Sequence, residues 1–135
     1  MENNEIQLFN KAQSPSYSSI KATTDEDKIK LLNALENCDF LLNDIAPKDI
    51  IVKDVYIQQY EKTLDDGEKK VKYRTILFDT EGKTYVTTSN FFFYAISKIF
   101  SVLGTPDNWS KPYTLQVYKK DVQNGKKALS VKIKA

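Results

Sequence analysis

The order of predicted elements in residues 49–135 is the feature that most limits the folds open to this chain. Runs of β-branched and aromatic residues alternate there with turn residues, and one apolar run has helical length. The predicted elements are strands at 49–62, 71–78 and 84–88, a helix at 91–103, and strands at 113–119 and 128–134. Gly67 and Gly82 fall in the first two turns, and Asn124-Gly125 gives a hairpin signal between the last two strands.

Five strands with a helix between the third and the fourth are the order of an oligonucleotide/oligosaccharide-binding (OB) barrel. We therefore predict a mainly β protein with a five-stranded OB-fold barrel over residues 49–135. Such barrels bind ligands across strands 2 and 3 and through the loops that join strands 1–2 and 4–5. The element order thus indicates where a site should lie before any site residue is chosen.

Residues 1–48 form a predicted N-terminal extension that packs on the barrel as part of a single structural domain. Its predicted parts are an arm at 1–15, a short strand at 17–22, a helix at about 24–37 and a short apolar patch at 38–48. Capping-box spacing occurs twice at the start of the helix, in Thr23 with Glu26 and in Thr24 with Asp27. The acids also suit the positive N-terminal end of a helix.

An apolar cluster of Ile6, Leu8 and Phe9 lies in the otherwise polar arm and needs a surface on which to be buried. Two arrangements would bury this apolar cluster. The arm can fold back on its own barrel, or it can lie on the next subunit and act as an oligomer contact. The second arrangement would link copies head to tail along a bound strand and make binding cooperative.

The residue inventory excludes several kinds of site. The chain has no histidine and one cysteine, Cys38, so Cys/His zinc sites, Ser-His-Asp triads and an internal disulfide are ruled out. Four glycines include no phosphate-cradling loop. We therefore predict no enzyme activity, no metal and no cofactor. A lone cysteine, a polar N-terminus and no apolar run of about 20 residues favour the cytoplasm and no membrane contact.

Charge is unevenly distributed along the chain, although its net value is only +2. Residues 1–66 hold 7 lysines against 13 acids, whereas residues 67–135 hold 12 lysines and Arg74 against 5 acids. Such asymmetry favours a polyanionic partner. Because lysine contacts phosphates as a mobile point charge, the composition favours binding without sequence readout.

Candidate nucleic-acid-binding residues follow from the expected OB groove. Basic side chains in and after the 1–2 loop and in the 4–5 loop should flank it, and tyrosines beside it could stack on bases. The candidates are Tyr56, Tyr60, Lys69, Lys70, Lys72, Tyr73, Arg74, Tyr85, Tyr118, Lys126 and Lys127.

Some of these residues have an alternative, purely structural interpretation. Each tyrosine could be a core or rim residue with a hydrogen-bonded hydroxyl. Arg74 could pair with an acid of a neighbouring strand such as Asp54. Trp109 is better explained as an anchor between helix and strand than as a stacking ring. Four consecutive aromatic residues, 91–94, cannot all face the barrel, so a leftover ring such as Phe91 or Tyr94 is expected to contact the extension or another subunit.

Short motifs at both ends of the chain resemble one known family. Leu8-Phe9-Asn10-Lys11 and residues 18–24 are similar to the opening of the small single-stranded DNA-binding proteins of phages and conjugative elements of Gram-positive bacteria. Residues 104–109 and 111–115 resemble their tails. The resemblance implies an OB fold and cooperative, sequence-independent binding. The familiar cellular single-strand binders end in an acidic tail. This sequence ends in residues 131–135, within the last predicted strand, and shows no such tail.

These patterns together predict a non-catalytic protein that binds and protects single-stranded DNA in phage or plasmid replication or transfer. Two alternatives stay open from the sequence. The chain could be an OB-like adaptor that docks another protein through exposed aromatic residues, or it could bind single-stranded RNA, which also offers phosphates and stackable bases.

Overall fold

The computed structural model describes residues 16–134, which form a mainly β fold with three α-helices. The strands are β1 (Ser16–Ser18), β2 (Phe40–Leu41), β3 (Lys48–Thr63), β4 (Lys69–Asp79), β5 (Thr84–Thr87), β6 (Tyr113–Asp121) and β7 (Lys127–Ile133). The α-helices are α1 (Asp25–Glu36), α2 (Leu42–Ile45) and α3 (Asn90–Leu103), and short 3-10 turns lie at Pro106–Asn108 and Gln123–Gly125. The predicted order from β3 to β7, with α3 between β5 and β6, is confirmed.

All seven strands belong to one curled sheet, with the path β2-β5-β4-β3-β6-β7 and with β1 added to β3. β3 organises this sheet because it is long enough to have different partners along its length. Residues 48–52 pair with β6, and Val52 and residues 54–63 pair with β4. A bulge between Val52 and Asp54 marks the change. Bulges bend a strand and increase its twist, which suits a sheet that curls into a half-barrel.

The described sheet has seven strands, not five, because the extension adds two short strands to the five expected for the barrel; β1 overlaps the short strand predicted at 17–22, and β2 was not predicted. β1 pairs antiparallel with β3, and β2 pairs parallel with β5. Within residues 16–134 the strand path ends at β2 and β7, which are not paired with each other, so the half-barrel is open between them. The described sheet is therefore compatible with an OB-like fold and larger at its edges than predicted.

The turns and caps form where the sequence predicts them. Thr24 accepts a hydrogen bond from the Asp27 backbone N–H at the start of α1 (3.1 Å), and Ser89 accepts one from Phe92 N–H at the start of α3 (3.2 Å). Gly104, with φ of 81°, ends α3 in a conformation that favours glycine. Trp109 donates its indole N–H to the Gly104 carbonyl (2.8 Å), which confirms its anchoring role.

Two apolar clusters lie on opposite faces of the sheet. The larger fills the half-barrel, where α3 buries Phe92 and Ile96 completely. The smaller lies between the outer face of the sheet and α1, with Ala34 against Ile76 and Phe78. None of the helices within residues 16–134 has the length and apolar content that crossing a bilayer requires.

Candidate nucleic-acid interface

The outer face of β3 and β4 is divided into a covered half and an open half. Side chains alternate between faces along a strand, so beyond the bulge the even-numbered residues of both strands share the outer face. Tyr56, Ile76 and Phe78 lie on this face and are packed in the cluster under α1. Beyond them, the same face continues toward the turn at Gly67 without entering either apolar cluster.

Basic residues and one tyrosine occupy the open half in register. Lys62 lies opposite Lys70, and Tyr60 lies opposite Lys72. Arg74 follows two residues further along β4, on the same face. We call these five residues, Tyr60, Lys62, Lys70, Lys72 and Arg74, the basic strip. Cross-strand neighbours of this kind lie about 5 Å apart at their Cβ atoms, so the strip is one continuous surface.

The positive charges of the basic strip are close enough to influence one another. Partial burial lowers the pKa of Lys72, and the charges of Lys70 and Lys62 lower it further. Like charges held together in this way favour a partner that supplies negative charge.

Within residues 16–134, no acidic side chain forms an ion pair with the basic strip. The three ion pairs that the structure shows within residues 16–134 join Lys21 to Asp107, Lys127 to Asp121 and Lys134 to Asp49, and none includes a strip residue. The described structure therefore leaves this patch of positive charge for an external anion.

The structure does not pair Arg74 with Asp54. Arg74 lies opposite Gln58, whereas Asp54 lies opposite Phe78 and accepts a hydrogen bond from the Ser19 hydroxyl (2.9 Å). The guanidinium is half-buried and close enough to Cys38 to affect its pKa, which places it at the border between the two halves.

Two of the candidate tyrosines lie in the apolar clusters. Tyr56 is 4% exposed and packs under α1, and Tyr85 is 5% exposed within the half-barrel. The Tyr85 hydroxyl donates to Asp79 (2.8 Å), and burial together with this carboxylate raises the pKa of Tyr85 to about 12. Both placements match the structural interpretation of these residues and leave their rings covered.

Tyr73 and Lys69 lie on the other face of the same hairpin. Their odd numbers place them opposite the basic strip, toward the interior of the half-barrel. The ring of Tyr73 stacks on Phe93 of α3, with centroids 3.7 Å apart and planes inclined by 6°. Asn90 ties this strand to α3, because its amide donates to Val71 O and its side-chain oxygen accepts from Tyr73 N–H.

The remaining candidates lie at the opposite end of β3 from the basic strip. Lys126 lies in the β6–β7 connection and Lys127 begins β7, beyond the end of β3 where Lys48 pairs with Val117. Lys127 forms an ion pair with Asp121 (2.6 Å). The ring of Tyr118 on β6 has the ammonium of Lys132 5.3 Å from its centroid. No contact of the described structure joins this group to the basic strip.

Sequence reasoning missed Lys62, which the register places beside Lys70. The signal was available, since a hairpin turning at residues 65–67 pairs the two positions. The arm candidates Ile6, Leu8 and Phe9 lie outside the described residues. Within residues 16–134 no group of His, Cys, Asp or Glu side chains is arranged to hold a metal ion.

A strip of cations around a tyrosine, unpaired with any acid of residues 16–134 and lying on a curled OB-compatible sheet, is typical of surfaces that bind single-stranded nucleic acid. The model of one family, the Phi29-type phage single-stranded DNA-binding proteins, matches residues 4–134. The chain belongs to this family, and it is a single-stranded DNA-binding protein of phage replication. No curated protein and no solved structure is found to match it.

Proposed function

We propose that the chain binds single-stranded DNA without sequence preference, with the basic strip as its main contact surface. One observation carries this proposal: the strip groups four cations around Tyr60, and none of them is in an ion pair within the described residues. Lysines supply point charges for phosphates, and an aromatic ring can stack on any base, so neither contact depends on sequence.

The proposed fold is an OB-type half-barrel, with residues 16–134 acting as one domain in the cytoplasm of the host. Its function is binding and protection of the strand rather than catalysis. The family match supports phage replication as the setting and gives no support for a conjugative element.

The division of the outer face explains why the site is limited to the hairpin. In an OB barrel the ligand lies across strands 2 and 3, which correspond to β4 and β5 here. α1 covers Ile76 and Phe78 on β4 and packs against Val86 on β5. The bound DNA strand is therefore shifted toward the β3–β4 hairpin. If Lys126 and Lys127 also contact DNA, the bound strand follows the length of β3.

Arg74 has a distinct role in this proposal. It is the only arginine of the chain and lies where the open half begins. Its planar guanidinium can contact a phosphate and stack on a base, which a lysine cannot do. Arg74→Lys keeps the charge, so a measurable loss of affinity on that substitution would assign the planar group a role.

Fluorescence anisotropy with oligo-dT, oligo-U and a matching duplex tests the proposal. For a single strand, a plot of log affinity against log salt concentration falls with a slope of about −0.7 for each phosphate contact. If each of the four cations contacts one phosphate, raising salt from 50 to 200 mM should weaken oligo-dT binding about 50-fold. Duplex binding as tight as oligo-dT binding, or a loss below about tenfold, would contradict the proposal. Tighter binding of oligo-U would make RNA the target.

A thermal shift separates DNA binding from the adaptor alternative. A ligand that binds only the folded state raises the unfolding midpoint by mass action. Oligo-dT should therefore stabilise the chain, whereas a protein-docking adaptor would keep its midpoint.

A further inference from the structure

An exposed groove lies between α3 and β7. It has a volume of about 640 Å³, within the range of pockets that bury an organic ligand. Its α3 wall exposes Phe91, Tyr94 and Val102 by 41%, 55% and 82%. Among the described residues, none of these three belongs to either apolar cluster of the fold. Packing of the core therefore does not account for the two exposed rings in this wall.

The groove is also positively charged. Lys98, Lys120 and Lys132 line it, and its lining within residues 16–134 includes no acid. None of the three lysines is in an ion pair of the described structure. Exposed rings beside unpaired lysines are the combination that holds single-stranded nucleic acid, because bases stack on the rings and phosphates contact the cations. A polyanion with flat apolar faces therefore fits both the chemistry and the charge of the groove.

The groove starts beside the same strand, β4, that carries most of the basic strip. β5 pairs with β4 from Thr75 onward, so the earlier part of that edge has no strand partner in the described sheet. Asn90, the first residue of α3, binds there: its amide donates to Val71 O (2.9 Å), and its side-chain oxygen accepts from Tyr73 N–H (3.2 Å). The ring of Tyr94 lies edge-on to that of Tyr73, with centroids 6.2 Å apart. Only the edge of β4 therefore separates the basic strip from the start of the groove.

We propose that one bound DNA strand passes from the basic strip over the edge of β4 and continues along this groove. The inference rests on the proposed function and adds to it a second contact surface, with Phe91 and Tyr94 as stacking rings and the three lysines as phosphate contacts. An oligonucleotide that reaches both surfaces binds the second one as an intramolecular event, so it gains affinity that a shorter one lacks.

Titrations with oligo-dT of two lengths test this path. Single OB folds contact about 4–16 nucleotides, so lengths of about 6 and about 14 distinguish DNA that fills the strip from DNA that also reaches the groove. Tyr94→Leu removes one ring and should weaken binding of the longer oligonucleotide about tenfold, whereas binding of the shorter one should stay within about twofold.

Salt dependence tests the lysines of the groove in the same way. The double variant Lys98→Ala and Lys132→Ala should make the salt slope shallower by about 1.4 for the longer oligonucleotide and leave it unchanged for the shorter one. The matched control replaces Lys28 and Lys83 by alanine, because both are exposed and lie outside the strip and the groove. The control should leave the difference between the two lengths unchanged.

Alkylation of a thiol in the groove locates the DNA directly. Cys38→Ser removes the only cysteine, and serine can keep the hydrogen bond that Cys38 donates to Ala34 O (3.1 Å). In this full-length chain, Val102→Cys places a thiol in the groove wall, and Lys83→Cys is the control at the β4–β5 turn. In a complex of one chain with one longer oligonucleotide, iodoacetamide should alkylate position 102 severalfold more slowly than in the free chain. The rate at position 83 should be the same in both. The one-to-one complex excludes shielding by a neighbouring copy.

Three results would overturn the proposal. One is a thiol at position 102 that reacts equally fast with and without bound DNA. Another is unchanged binding of the longer oligonucleotide by Tyr94→Leu and by the double lysine variant, which would leave the groove to a protein partner. The third is a thiol that is already shielded in the free chain, relative to the denatured chain, which would mean that another part of the protein fills the groove. If the unsubstituted chain bound neither length, the proposed function itself would fail, and this outcome is separate from any result at the groove.

Discussion

The two halves of the outer face of β3 and β4 have the same backbone geometry and opposite chemistry. In the covered half, Tyr56, Ile76 and Phe78 pack against α1 and stabilise the fold. In the open half, Lys72 and its neighbours meet no acid among the ion pairs of the described chain. Strand pairing alone therefore does not determine what a face does. The position at which α1 ends its contact separates the packed half of the face from the proposed binding half.

The largest effect should follow substitution in the covered half. Phe78 is fully buried between the sheet and α1, so Phe78→Ala should lower the free energy of unfolding by about 3–5 kcal/mol. Urea denaturation measures this change. Lys72→Ala, on the same strand and face, is the matched control and should change stability by less than about 0.5 kcal/mol.

At a temperature where Phe78→Ala is still folded, its affinity for a one-site oligonucleotide should be unchanged. A clear loss of affinity in the folded variant would mean that the covered half also contacts DNA, and the division of the face would be wrong.

Removing charge from the open half should have the next largest effect. The triple variant Lys62→Ala, Lys70→Ala and Lys72→Ala should weaken oligo-dT binding by at least about tenfold at physiological salt, and its salt slope should be shallower by about 2. Anisotropy titrations at four salt concentrations give both quantities.

A second triple variant controls for net charge. Lys48, Lys83 and Lys111 are exposed and lie outside the basic strip, so replacing them by alanine removes the same charge. If this control lost as much affinity as the strip variant, binding would depend on overall charge and not on the strip.

Tyr60 tests whether the strip also stacks bases. Its ring lies on the open half between the lysines, so Tyr60→Leu should lose about 1–3 kcal/mol of binding free energy if one base stacks on it. Tyr118→Leu is the comparison at the other end of β3. Equal losses of binding free energy in the two variants would show that the DNA strand follows the whole of β3.

The smallest effect concerns pH. Since burial and the neighbouring lysines lower the pKa of Lys72, this residue should lose its proton at a lower pH than a lysine usually does. DNA phosphates favour the charged form, so affinity should be complete below the pKa of Lys72 in the free protein and fall as pH rises through it. Lys72→Arg stays charged, so its affinity should no longer fall as pH rises toward the ordinary pKa of a lysine, about 10.4. An unaltered profile would place Lys72 outside the contact.

Sequence patterns predicted the main strands, α3 and the turns because their signals are local. Strands are indicated by period-2 alternation, and turns by Gly67 and Asn124-Gly125. Each of these signals can be read within a few residues. The short strand predicted at 17–22 overlaps β1, which has three residues, whereas β2 has two residues, too few to show any period, and was not predicted.

The candidate site was less predictable because it depends on how much of the outer face α1 covers. Tyr56 and Tyr60 have the same parity on β3, and nothing local shows that one lies under a helix and the other does not. The position of the turn between Lys62 and Lys70 was enough to predict that the two residues lie opposite each other. By contrast, the bulge after Val52 reverses the faces of β3 and could not be predicted from alternation.

Photo-cross-linking tests the central claim, that the open half of β3 and β4 holds the strand, most directly. A halogenated oligo-dT bound to the full-length chain should cross-link under ultraviolet light to peptides of residues 58–74, with Tyr60 as the main site. Cross-links confined to Tyr94, Tyr118 or the β6–β7 connection, with none in the hairpin, would contradict the account.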